Sequence, residues 1–185
     1  MIYSISGSDD HPLGRLQAVR DEECREAMYS GDIHVGDFDA NAMNRDDFHF
    51  TDVIDSFCVP VFNARFKQAC EALAPGAVEF HQVRLVWGKE DLLEWVGGQI
   101  EGFYVVRPRI VDIIDENLTP MRFWPKLKTF KLEDYVITAL PPQALGLFVD
   151  LKRPHQFMVT EPMRELLQAS GIRARYWPLP VHISQ

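Results

Sequence analysis

The sequence predicts an α+β domain of many short strands and a few short helices. Three observations carry this. Two stretches about 97 positions apart spell the same strand-helix-strand unit. Between and around them, short apolar runs alternate with Gly, Pro and Asp punctuation at strand spacing. The length of 185 residues suits one compact core, so residues 1–185 are read as a single domain with an acidic lead over 1–55 and a repeat-containing core over 56–185.

Ile2 to Ile5 alternates weakly and predicts an edge strand, and Ser6 to Gly14 is turn-rich. Residues 15–29 carry a loose apolar face and predict a helix stopped at Ser30-Gly31. From Asp32 to Asp55, aspartates alternate with Phe38, Met43, Phe48, Phe50, Val53 and Ile54, which fits a loop or irregular strands anchored by aromatic residues. The first repeat runs from the strand Val59 to Phe62 through Asn63, a side chain able to cap a helix, into an amphipathic run from Ala64 to Leu73. Pro75-Gly76 then stops the helix and Val78 to Leu85 forms the second strand, its alternation breaking near His81 as a bulge or a strand end would break it. KEDLLEWVGG predicts a short helix, and Phe103 to Val106, Ile110 to Ile114, Thr129 to Leu132, Tyr135 to Leu140 and Leu145 to Val149 predict strands. LKRPHQ reads as a turn into the second repeat: Phe157 to Val159, the capping Thr160, the helix Glu161 to Ala169, Ser170-Gly171, and a strand from Ile172 to Leu179. Pro162 is tolerated because a first-turn amide needs no intrahelical partner. Met163, Leu166 and Leu167 match Phe66, Ala69 and Cys70, so the apolar stripe is reproduced.

Charge is unevenly placed. The chain carries −8, yet residues 1–55 alone hold 13 acids against four arginines, while 56–185 balance to +1. An acidic face of this kind either serves solubility alone or repels nucleic acid and attracts basic protein surfaces, with steering worth about 10- to 1,000-fold in association rate at low salt. No apolar run approaches the roughly 20 residues needed to span a bilayer, and the first residues lack the form of a secretory signal, so a cytoplasmic protein is expected. Cys24, Cys58 and Cys70 share no metal-site or disulfide spacing, and Cys70 falls on the apolar helix face as a small hydrophobe.

Chemical signatures are missing. No GxSxG, Walker loop, post-strand GxGxxG or HExxH occurs, and the six histidines never sit three or four apart. Catalytic residues, metal and cofactor are therefore all expected to be none. The metal alternative is a loop site assembled from Asp9, Asp10, His11, Asp37 and Asp39. Asp112 and Asp115 form a DxxDEN segment whose favoured reading is an Asx-type turn. Trp87, Trp95, Trp124 and Trp177 serve equally as core filler or interface anchors.

Three segments, CVPVFNARFKQACEALAPGAVEFHQVRL, FYVVRPRIVDIIDENLT and FMVTEPMRELLQASGIRARYWPL, come in an order that resembles immunity protein family eleven of bacterial polymorphic toxin systems, formerly a domain of unknown function. The middle segment is similar to the family's strand followed by a VDxxD element, here Val111 to Asp115. The chain departs from the family pattern at Val149-Asp150 and at Ala174 to Trp177. The resemblance implies a cytoplasmic inhibitor, without catalysis, that binds and neutralises a cognate protein toxin. The candidate contact residues are Asp37, Asp39, Asp46 and Asp47, on an acidic segment suited to a basic toxin. Two alternatives are a small enzyme with a site assembled from scattered residues such as Asp112, Asp115 and His81, and a self-associating structural module.

Overall fold

The computed structural model describes residues 1–7, 17–18, 37–39, 52–55, 59–73, 75–76, 78–87, 90–91, 102–124, 129–132, 134–139 and 146–183. Among the described residues, β1 (Ile2–Ser6), β2 (Gln17–Ala18), β3 (Asp37–Asp39), β4 (Val53–Ile54) and β5 (Val61–Asn63) come before the first helix. Helix α1 (Ala64–Leu73) leads to β6 (Glu79–Trp87), β7 (Glu90–Asp91), β8 (Phe103–Arg107) and β9 (Arg109–Val111). Then follow β10 (Met121–Trp124), β11 (Thr129–Leu132), β12 (Tyr135–Ile137), β13 (Leu147–Asp150) and β14 (Arg153–Thr160). Helix α2 (Glu161–Ala169), β15 (Arg175–Pro178) and β16 (Val181–Ile183) complete the chain. The fold is α+β and mostly sheet.

The largest sheet has the order β2-β3-β6-β8-β5-β4 with β7 on β6, a second has the order β15-β1-β14-β13-β9, and β10-β11 and β12-β16 form two-stranded sheets. In each of the two larger sheets, a strand leads directly into a helix, and the strand after the helix returns parallel to the first with one antiparallel strand between them. That middle strand is β8 between β5 and β6, and β1 between β14 and β15. The registers match position by position. Val53 faces Phe62 as Leu147 faces Val159, and Phe62 faces Tyr104 as Val159 faces Tyr3. Tyr104 then faces Gln82 as Tyr3 faces Pro178. The flanking strands agree too: Phe38 pairs in parallel with Leu85 as Tyr135 does with Val181. Where β6 is one continuous strand, its counterpart is divided into β15 and β16 at Leu179-Pro180, because proline cannot donate to a ladder. The 97-residue echo is thus a duplicated unit in three dimensions, with the middle strand of the second copy supplied from the opposite end of the chain.

Both helices obey the same local rules. Asn63 Oδ1 accepts the Phe66 amide at 3.0 Å, the capping bond its position predicts. Thr160 makes no such side-chain cap bond. The first amides of the two helices are instead met by carbonyls of the middle strands' leading residues, Ala64 N–H by Gly102 at 3.0 Å and Glu161 N–H by Met1 at 3.1 Å. At the other end Gly76 and Gly171 take φ of 71° and 70°, a left-handed conformation that glycine adopts without strain. After α2, the Gly171 and Ile172 amides close onto Gln168 and Leu167 carbonyls in a Schellman arrangement.

The two units pack through their helix-bearing faces. Phe62, Phe66 and Phe157 meet there, with ring centroids 4.3 Å apart for Phe62–Phe66 and 6.0 Å for Phe62–Phe157, inside one cluster that joins both sheets and both helices. Complete burial of Phe66 is worth roughly 2–3 kcal/mol. A second cluster of Ile2, Ile114, Tyr135, Ile137, Phe148 and Met158 seals the opposite face of the second sheet.

Several expectations change. β1 is central, not an edge, because Ile2, Tyr3 and Ile5 are all buried between two neighbouring strands. Gln17–Ala18 and Glu90–Asp91 are strand pairs within segments expected to be helical, the remainder of which lies outside the described residues. No bulge occurs at His81: the pairing of β6 with β8 runs unbroken from Glu79 to Val83, and the mixed pattern there reflects a solvent-facing strand end where Glu79 meets His81 and Arg107. The turn before the second repeat is confined to Leu151-Lys152, since β14 already begins at Arg153. The α2 stripe is narrower than expected, with Met163 and Leu167 buried and Leu166 42% exposed.

Candidate functional site

Of the four acidic positions singled out in the sequence, Asp37 and Asp39 fall on β3, and Asp46 and Asp47 lie outside the described residues. β3 is held on both sides, by β2 antiparallel and β6 parallel, with Asp37 in register with Arg84 and Asp39 with Val86. These two carboxylate positions are therefore built into the larger sheet.

The same acidic segment also supplies an interior polar joint. Asp52, 3% exposed, accepts hydrogen bonds from Asn63 Nδ2 at 2.8 Å through Oδ1 and from the Arg173 amide at 2.5 Å through Oδ2. Its own amide donates to the Arg173 carbonyl at 3.1 Å, and its carbonyl accepts the Asn63 amide at 3.1 Å. Arg65 places its guanidinium 3.5 Å from Asp52 Oδ2 and donates to the Gly171 carbonyl. Asp52 thereby ties the strand pair β4-β5 and the start of α1 to the turn that follows α2, closing the seam between the units. Burial of an acid within the lead was not legible from composition. The local signal was its place directly before the apolar pair Val53-Ile54.

Asp112, Asp115 and His81 are each engaged elsewhere. Asp115 Oδ1 accepts the Asn117 and Leu118 amides at 2.9 and 3.2 Å, the Asx-type turn expected of DxxDEN. Thr119 locks that turn, accepting the Val136 amide at 3.0 Å and donating to the Asp115 carbonyl. Asp112 pairs with Lys152, whose ammonium also donates to the Ile114 carbonyl at 2.6 Å; the Asp112 hydrogen bond holds the lysine pKa above its ordinary value. His81 lies on β6, in the other sheet, 3.1 Å from Glu79. Asp150 is the residue that organises this corner. Fully buried, it accepts the Ile113, Ile114 and Lys152 amides at 2.8, 3.1 and 2.9 Å.

Cys70 is buried as its helix position predicts, and desolvation pushes its thiol up to about 12. Among the described residues, no three His, Cys, Asp or Glu side chains gather as metal ligands would. Trp177 is 47% exposed, with the Arg175 guanidinium stacked 3.3 Å from its ring centroid. No family model matches the chain, and no curated protein matches it. Among the described residues no helix is long and apolar enough to cross a membrane.

Proposed function

We propose that the protein is a non-enzymatic immunity protein of the cytoplasm that binds a cognate bacterial toxin and neutralises it. The observation that carries this reading is how the fold uses its buried polar groups. Asp52, Asn63, Thr119 and Asp150 each bond main-chain amides or bridge two elements, which is the chemistry of a rigid scaffold. The excess charge lies in the lead segment, and β3 carries Asp37 and Asp39 on a strand with neighbours on both sides. Acidic residues opposed to a basic partner favour fast, salt-sensitive association.

The test has two parts. Coexpression with the product of the neighbouring reading frame should restore growth and yield a stable complex. Neutralising Asp37, Asp39, Asp46 and Asp47 together, each to Asn, should then slow association at low salt and flatten its salt dependence. An unchanged on-rate refutes docking through this segment, and failure of coexpression to protect refutes the immunity role.

A further inference from the structure

We infer that the cleft between β14 and β15 is a binding site for an extended peptide, and that residues 1–7 are its resident ligand. The inference goes beyond the immunity reading and does not depend on it. It starts from the comparison of the two units. In the first, the middle strand β8 follows β6 closely along the chain, Phe103 coming soon after Trp87. In the second, the middle strand is separated from what it binds by 158 positions, the interval between Tyr3 and Glu161.

β1 is held along its whole length by the elements on either side of it. Its main chain pairs with β14 from Ile2 to Ser4 and with β15 from Tyr3 to Ser6, so both neighbours read the backbone. The Ile2 carbonyl also accepts the Leu179 amide at 3.0 Å. Ile2, Tyr3 and Ile5 enter the core, while Ser4 and Ser6 stay half-buried. Tyr3 has a dedicated receptor: Arg164 lies 4.3 Å over its ring, and its hydroxyl donates to Glu161 Oε1 at 3.3 Å. The Met1 carbonyl caps α2 by accepting the Glu161 amide, and the Met1 ammonium lies 3.2 Å from Glu161 Oε2. The first unit holds Tyr104 in the same way, with Lys67 at the position of Arg164 and 5.6 Å from the ring centroid. The site thus selects a short segment with apolar groups at its second and fifth positions, an aromatic at the third and small polar groups at the fourth and sixth.

The experiment uses the full chain with a specific protease site inserted just after Gly7 and cut in the folded protein. The expected result is that residues 1–7 stay bound after cleavage and exchange with a labelled synthetic peptide MIYSISG, followed by fluorescence anisotropy. A peptide carrying Tyr3→Ala and Ile5→Ala should bind at least about tenfold more weakly, and a scrambled peptide should not bind. Three results would overturn the proposal: unfolding on cleavage, release of residues 1–7 with an unchanged thermal midpoint, or a folded nicked protein that never admits the labelled peptide.

Discussion

Replacing Asp52 by alanine tests whether the seam between the two units is held by a buried carboxylate or by apolar packing alone. The substitution removes the acceptor for Asn63 Nδ2 and for the Arg173 amide. A hydrogen bond to a charged acceptor contributes about 1.5–3 kcal/mol. Nothing is assigned to the Arg65 pair, because that side chain is half exposed and solvent screens it. Water entering the vacated space offsets part of the loss, so the net cost is about 3 kcal/mol. For a chain of this length that corresponds to a fall in Tm of about 6–12 °C. Urea denaturation should show a lower midpoint with an unchanged slope, since the same surface is exposed on unfolding. Asp52→Asn keeps an acceptor for Asn63 but turns an amide toward the Arg173 N–H, so it should cost about half as much. An Asp52→Ala protein within about 0.5 kcal/mol of the parent, the range of ordinary surface substitutions, would refute the reasoning.

Asn63→Ala should cost about 3 kcal/mol through the lost α1 cap and the lost hydrogen bond to the Asp52 carboxylate, whereas Thr160→Ala should cost less by denaturant midpoint, because Thr160 makes no side-chain cap bond. Asp150→Ala strands three main-chain amides and should lower stability by about 3 kcal/mol, with faster proteolysis near residues 112–114 as a second readout. For Cys70 the folded pKa lies above the ordinary thiol value of 9.0, so its contribution is fully present below that pH and is lost as pH rises toward about 12. The slope attributable to it reaches at most about 1.4 kcal/mol per pH unit, and comparison with Cys70→Ala, which should lack this component, isolates it. Phe66→Ala should cost about 3–5 kcal/mol and Leu166→Ala under about 1, a contrast readable by thermal melts.

Much of the framework was legible in one dimension because it rests on local rules. Asn63 before an amphipathic run, glycine after it, and apolar residues three and four apart mark each helix unit from within about twenty residues. The Asx-type turn at Asp115 was legible for the same reason, since its bonds reach only two and three residues along the chain. Helices expected at 15–29 and at KEDLLEWVGG failed where described, because β2 and β7 gain their ladder bonds from β3 and β6, neighbours that local propensity does not register. Asp52 and Asp150 escaped notice as interior groups because the amides they satisfy lie far along the chain, at Arg173 and at Ile113-Ile114.

The sequence by itself determined the α+β class, the repeated unit, its caps and stops, and the concentration of acid in the first third. Only the tertiary structure decided that Ile2–Ser6 is the middle strand of the second copy and that one buried aspartate joins the copies. The physical reason is one of range. Periodicity and capping are set by residues within a turn or two of one another, whereas strand neighbours and the partners of a buried charge are selected by which surfaces meet once the chain has closed on itself.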